Sequence, residues 1–142
     1  MEENKCYYRA LFISLFAFML LSGKATALTC GEELQVMKQV AVKYKLNASG
    51  LALLRAIRKT ENGKPGREFG ILRKEAKTYR QQAEWCAGTI RNNYYRWKRS
   101  GGKQDYLSFL AGKYAPIGCA NDPKGLNKNW KRNVEHWYRK LI

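Results

Sequence analysis

Thr60-Glu61-Asn62-Gly63-Lys64-Pro65-Gly66-Arg67-Glu68-Phe69-Gly70-Ile71-Leu72 is where the chain changes character. Ahead of it, Leu51, Leu54 and Arg58 share one side of a helical pattern, with Leu53 and Ile57 beside them. At Glu61 the pattern stops. Asn62-Gly63 and Pro65-Gly66 are strong turn dipeptides, so a helix ends at Glu61 and an irregular segment follows over 62–77. Within that segment Phe69-Gly70-Ile71-Leu72 reads as a short strand or an extended loop. Glu61 and Glu68 stand seven residues apart in a chain that has few carboxylates.

Working outward, Gly31 to Tyr44 reads as a helix with Leu34, Met37, Val40, Ala41 and Tyr44 on one face. Asn47 or Ser49 can cap the helix that leads to Glu61. Asn47-Ala48-Ser49 is also a glycosylation sequon, relevant only in a eukaryotic secretory route, and is read as a cap. Downstream, Thr78-Tyr79-Arg80-Gln81 has the form of a capping box. The long helix it opens runs to about Lys98, with Ala83, Cys86, Ala87, Ile90, Tyr94 and Trp97 as its apolar face. Ser100-Gly101-Gly102 ends it. A short helix over Gln104–Gly112 turns Tyr106, Phe109 and Leu110 inward. After a loop, Asn127 can cap a last helix with Trp130, Val134, Trp137 and Leu141 on one stripe. The expected fold is all-α: about five helices, with a short irregular or β-like lobe after the second.

The chain has 142 residues, enough for one small domain with a real core. Its 27 Lys and Arg face 11 Asp and Glu, a formal net charge of +16. Such a balance speaks about partners rather than fold: nucleic acid, anionic lipid or an anionic glycan. The N-terminus narrows the choice. Ala10 to Leu21 is an uninterrupted apolar run, short against the roughly 20 residues a bilayer span needs. Lys5 and Arg9 precede it, and Ala25-Thr26-Ala27 follows as a small-x-small site. Residues 1–27 read as a secretory signal peptide cut after Ala27, with an uncleaved anchor as the alternative. Residues 28–142 then form the domain, with 24 basic residues (27 less three) and nine acidic ones (11 less two). An exported cationic protein meets envelope polymers sooner than chromosomal DNA.

The exported part holds Cys30, Cys86 and Cys119, so at most one disulfide forms, and spacing alone cannot choose the pair. Cys86 with Cys119 is favoured, because both lie in segments that read as folded. No cysteine spacing fits a zinc site and His136 is the single histidine, so neither metal nor cofactor is expected.

The order of these parts resembles the lysozyme-like superfamily, in which a helix ends in a Glu, an irregular lobe follows and further helices close the domain. The resemblance is nearer to small phage and bacterial lysozyme-like or lytic transglycosylase-type proteins. It is carried by Glu61-Asn62-Gly63, Glu68-Phe69-Gly70, Thr78, Ile90-Arg91-Asn92-Asn93, Tyr114-Ala115-Pro116-Ile117-Gly118, Asn121-Asp122-Pro123 and Asn127 with Trp130. These motifs cover roughly residues 48–140. No Gly-Leu-Met-Gln motif follows the Glu, and the glycine-rich lobe is short. The resemblance implies a two-lobe helical fold, a glycan cleft between the lobes, and cleavage of the β-1,4 bond of peptidoglycan with Glu61 as acid. A monomer is expected, with peptidoglycan strands and anionic envelope polymers as partners.

Glycoside cleavage needs a carboxyl group still protonated near neutral pH, which burial beside apolar groups provides. Glu61 sits at a helix C-terminus, where the dipole also disfavours negative charge. Arg58, Lys59, Lys64 and Arg67 oppose this, and the sequence leaves the balance open. Glu68 is the candidate second carboxylate, with loop bracing weighed equally, and Asp122 is a remoter one. Tyr79, Asn92 and Tyr114 are the expected sugar-binding residues, ahead of Gln82 and Asn93. Trp97, Trp130 and Trp137 keep helical spacing and read as core. Arg91, Arg96, Lys98 and Arg99 read as a solvated face that can hold anionic polymer. Two other functions compete. One is a lysozyme-like envelope or virion component without turnover. The other is a cationic nucleic-acid binder using Tyr94-Tyr95-Arg96-Trp97-Lys98-Arg99, which export and the core stripe both oppose.

Overall fold

The computed structural model describes residues 27–142. The apolar run 10–21 and most of the expected cleavage site lie outside the described residues. The architecture is all-α: α1 (Cys30–Lys43), α2 (Ala48–Glu61), α3 (Tyr79–Arg99), α4 (Tyr106–Tyr114) and α5 (Trp130–Arg139), with a 3₁₀ turn Leu126–Asn129 leading into α5. Among the described residues there is no strand, and Phe69 to Leu72 is loop. No described helix is long and apolar enough to cross a membrane.

Local chemistry sets the helix starts. Thr29 and Glu32 form a reciprocal capping box on α1. Asn47 accepts from the Gly50 N–H (2.9 Å) and caps α2. Thr78 and Gln81 form the expected box on α3, and Asp105 caps α4. The end of α2 is equally local. Asn62 takes the left-handed conformation (φ 41°) at the C-cap, which a short polar side chain tolerates. Gly63 then lets the chain fold back so closely that a Cβ there would lie 1.8 Å from the Arg67 carbonyl oxygen.

α3 is the central helix, burying Ala83, Cys86, Ala87 and Ile90. α1, α2 and α4 pack against it, and α5 packs on α2 and α4; Val40 of α1, Leu54 and Ile57 of α2, Leu110 of α4 and Val134 of α5 are all fully buried in the shared core. α5 packs most extensively along α2. The expected apolar face of α3 breaks at its C-terminal third. Tyr94 is exposed and Trp97 only half-buried, with its indole N–H donated to the Gln104 carbonyl (2.7 Å). The helix there extends past the core, and the rings of Tyr94, Trp97 and Tyr106 meet one another tilted or edge-on instead. The start of α5 also differs from expectation. Asn127 does not cap it but donates to the Pro116 carbonyl (3.0 Å). Asp122 organises this turn, accepting N–H bonds from Gly118, Leu126 and Asn127.

No disulfide joins Cys30, Cys86 and Cys119. The favoured Cys86–Cys119 bridge is therefore not formed. Cys86 points into the core, where burial pushes its thiol up to about 12, while Cys119 receives a weak contact from Asn127.

Candidate active site around Glu61

Glu61 is the last residue of α2, and its carboxyl group turns inward between the 66–76 loop and α5. Oε1 accepts a hydrogen bond from the indole N–H of Trp130 (2.7 Å). Oε2 has no hydrogen-bond partner among the described residues and occupies the space that a side chain at Gly70 would take. A Cβ at Gly70 would stand 2.4 Å from Oε2 and 2.7 Å from Cδ. Gly70 also has φ +68°, so both space and backbone call for glycine.

Burial raises the Glu61 pKa above the ordinary carboxyl value, and the Trp130 hydrogen bond works against it. Of the neighbouring cations that the sequence leaves in the balance, three are occupied elsewhere and one faces solvent. Arg58 pairs with Glu33 (2.6 Å). Lys59 stands over the Trp137 ring (4.9 Å), Arg67 donates to the Ile71 carbonyl (2.7 Å), and Lys64 is exposed. The carboxyl group thus has one neutral donor, no salt bridge and an environment that favours its protonated form.

Tyr114 and Trp130 build the wall behind the acid. Their rings stack at 5.1 Å and 25°, and the Tyr114 hydroxyl donates to the Phe69 carbonyl. Burial holds the Tyr114 phenol well above its ordinary pKa. One chain of contacts therefore runs from the loop at Phe69, through Tyr114 and Trp130, to Glu61. The expected sugar-binding residue Tyr114 is in the site, but its ring is stacked on Trp130 and its hydroxyl is used to fix the loop.

Gln82 fixes the same loop from the other side. Fully buried, it accepts from the N–H groups of Phe69 (3.4 Å) and Ile71 (3.2 Å). Its amide donates to the carbonyls of Gly66 (3.1 Å), Ile71 (2.9 Å) and Ala76 (2.7 Å). Gln82 is a brace and has no surface left for a sugar.

Of the other expected residues, Glu68 is buried, with Oε1 accepting from the Gly66 N–H (3.0 Å) and Oε2 sealed without a partner. Asp122 is buried and saturated by its own turn. Tyr79 is a core residue: its ring meets Phe69 edge-on (5.5 Å), and burial, then the Glu33 carboxylate, raises its phenol pKa against the opposing Arg58. Asn93 is buried and donates to the Thr89 carbonyl of its own helix. Asn92 is exposed, in a groove of about 400 Å³ with Tyr44, Gln81, Trp85 and Thr89; Glu61 does not line this groove. Among the described residues, no three His, Cys, Asp or Glu side chains cluster to hold a metal ion.

Comparison with protein-family models, curated proteins and solved structures gives no match to this chain.

One residue of the site, and one in the separate groove at Asn92, are not found by sequence reasoning. The spacing of Trp130 predicts a core residue, and it is buried, but its N–H is the donor to Glu61. A buried Trp needs a hydrogen-bond acceptor, and that need was the available signal. Trp85 falls off the α3 apolar stripe and is partly exposed beneath Arg73 (5.3 Å from its ring centre). An aromatic off the stripe marks such a surface.

Proposed function

We propose that the chain is an exported peptidoglycan-cleaving enzyme acting on the β-1,4 glycan strand, with Glu61 as its general acid. The observation that supports this most is the state of Glu61. It is a half-buried carboxyl group without a cation, held at Oε1 by Trp130 and leaving Oε2 without a partner among the described residues. In the proposed reaction, protonated Oε2 gives its proton to the glycosidic oxygen as the C–O bond breaks. The carboxylate that results is stabilised by the Trp130 N–H, since a hydrogen bond to a charged acceptor is the stronger kind.

A hydrolase of the usual kinds needs a second free carboxylate, about 5–5.5 Å away for retention or 6.5–9.5 Å for inversion. Asp122 is committed to three backbone N–H groups of its own turn, and Glu68 is buried, with Oε1 on the Gly66 N–H and Oε2 sealed from solvent. This favours the lytic-transglycosylase route. There, a hydroxyl of the sugar itself attacks the oxocarbenium-like carbon, and the Glu61 carboxylate takes up that hydroxyl's proton. Acid and base are then one residue, and the product is an anhydro sugar. The chain's high positive charge would hold the enzyme on anionic envelope polymer in a salt-dependent manner.

Mass spectrometry of purified peptidoglycan digested with the protein tests this. Anhydro-ended fragments are expected, lost in Glu61→Gln and retained in Glu68→Gln. Fragments that persist in Glu61→Gln remove the assignment of the acid. Hydrolytic fragments abolished by Glu68→Gln restore a two-carboxylate mechanism. The absence of any product leaves the fold as that of a binding or structural component.

A further inference from the structure

A groove of about 740 Å³, larger than the one at Asn92, is not lined by Glu61. It lies at the opposite end of α2, beside Asn47, Ser49 and Gly50. Ser49 and Glu61 are separated by twelve residues of helix, about 18 Å at the α-helical rise. Its volume is within the roughly 300–1,000 Å³ range of small-molecule sites. Leu46, Leu53, Ile90 and Leu107 provide apolar lining, drawn from the α1–α2 link and three helices.

Charge is distributed unevenly around this apolar lining. Lys45, Arg91 and Arg139 line the groove, against Glu135 as the one acidic side chain. Glu135 is already engaged by Arg139 (2.9 Å). Lys45 and Arg91 have no carboxylate partner among the described residues. The Arg91 guanidinium stands over the Tyr95 ring (5.8 Å), and its Nε is sealed from water without an acceptor. An unanswered cation beside an apolar trough is complementary to a ligand with an apolar body and an anionic head. A second copy of this +16 chain is a poor occupant, because it would bring further positive charge.

We propose that this groove binds a single-chain anionic amphiphile, with the alkyl chain along Leu46, Leu53, Ile90 and Leu107 and the anionic head at Arg91 and Lys45. The site is separate from Glu61, and the proposal does not rest on the glycosidase reading. Decyl phosphate, kept below its micelle concentration, is the probe, and amide chemical shifts of the ¹⁵N-labelled protein are the readout. Saturable shifts are expected at Gly50, Leu53, Ile90 and Arg91. Decyl maltoside, with the same tail and a neutral head, binds at least about tenfold more weakly, the loss that one charge-assisted contact represents. Inorganic phosphate does not move Leu53 or Ile90. Arg91→Gln and the exposed Lys45→Gln each weaken decyl phosphate, while Lys124→Gln, elsewhere on the surface, does not. Equal affinity for the two amphiphiles overturns the proposal, as does equal weakening by Lys124→Gln. So does binding confined to anionic vesicles without saturation by monomeric decyl phosphate.

Discussion

Gly70→Ala isolates the placement of the acid from the stability of the fold. The new Cβ would stand 2.4 Å from Glu61 Oε2, whereas ordinary contact begins near 3.4 Å, so the carboxyl group must retreat by about 1 Å. It cannot retreat and also keep its 2.7 Å bond to Trp130 unchanged. A misplacement of about 1 Å in a reacting group costs on the order of 10²-fold in rate. Separately, an L-residue at φ +68° costs roughly 1–2 kcal/mol. For a domain of this size that lowers Tm by roughly 4–8 °C. The control is Gly101→Ala. Gly101 has φ +84° but no atom within 4 Å of its Cβ position. It carries the backbone cost without the collision. Release of soluble fragments from purified cell wall, with Tm measured by calorimetry on the same samples, gives both quantities. Both variants are expected to lose a similar few degrees, and only Gly70→Ala to lose about two orders of magnitude in rate. Equal rates in the two variants would refute the coupling of Gly70 to Glu61, and with it the placement of the acid.

Glu61→Gln is expected to raise Tm at pH 7 while abolishing cleavage. The native pKa of Glu61 lies above its ordinary value of 4.5, so the folded state binds the proton more tightly. Stability therefore falls as pH rises from 4.5 through the raised native value. The variant lacks that fall, and calorimetry across pH should show its advantage vanishing below about pH 4. Trp130→Phe keeps a ring against Tyr114 but deletes the donor to Oε1. The alkaline limb of the pH–rate profile moves upward, and kcat/KM drops about 10- to 100-fold, the worth of a hydrogen bond to a charged group. Gln82→Met removes five hydrogen bonds that hold the 66–76 loop. Urea unfolding should show a loss of about 3 kcal/mol or more, because buried backbone groups are left unpaired.

Features set by neighbours in sequence were legible before the structure. The Asn47 and Thr78 caps, the end of α2 at Glu61 and the buried stripe through Ala83, Cys86, Ala87 and Ile90 all depend on spacings of three or four residues. Misreadings arose where a partner comes from far along the chain. Gln82 sits one step from the apolar stripe, and periodicity cannot say that a loop starting at Gly66 will fold over it. Trp130 meets Glu61 across 69 residues, and Tyr114 meets Phe69 across 45. Tyr94 and Trp97 continue the helical period past the point where the core ends, so the same spacing carries a different burial. Asn127 and Asp122 compete for one turn, and the carboxylate, with two acceptor oxygens, takes three N–H groups there.

The environment of Glu61 turns on a distinction that no count of charges makes. In a chain of net charge +16 with cations at positions 58, 59, 64 and 67, proximity in sequence favours an ionised carboxylate. In space the pairing differs. Arg58 is half-buried against Glu33 on α1, Lys59 turns to the α5 aromatic Trp137, and Arg67 spends a donor on the loop that carries Gly70. Three of the four cations thus have other partners, Arg67 on the loop beside the acid, and Lys64 faces solvent. Burial is then the leading effect on Glu61, and a neutral indole is its hydrogen-bond donor. The same positive charge remains available on the outer surface at Arg96, Lys98 and Arg99. A strongly basic protein can thus carry a carboxyl group whose pKa is raised, because Arg58, Lys59 and Arg67, near it in sequence, are directed to other partners in space.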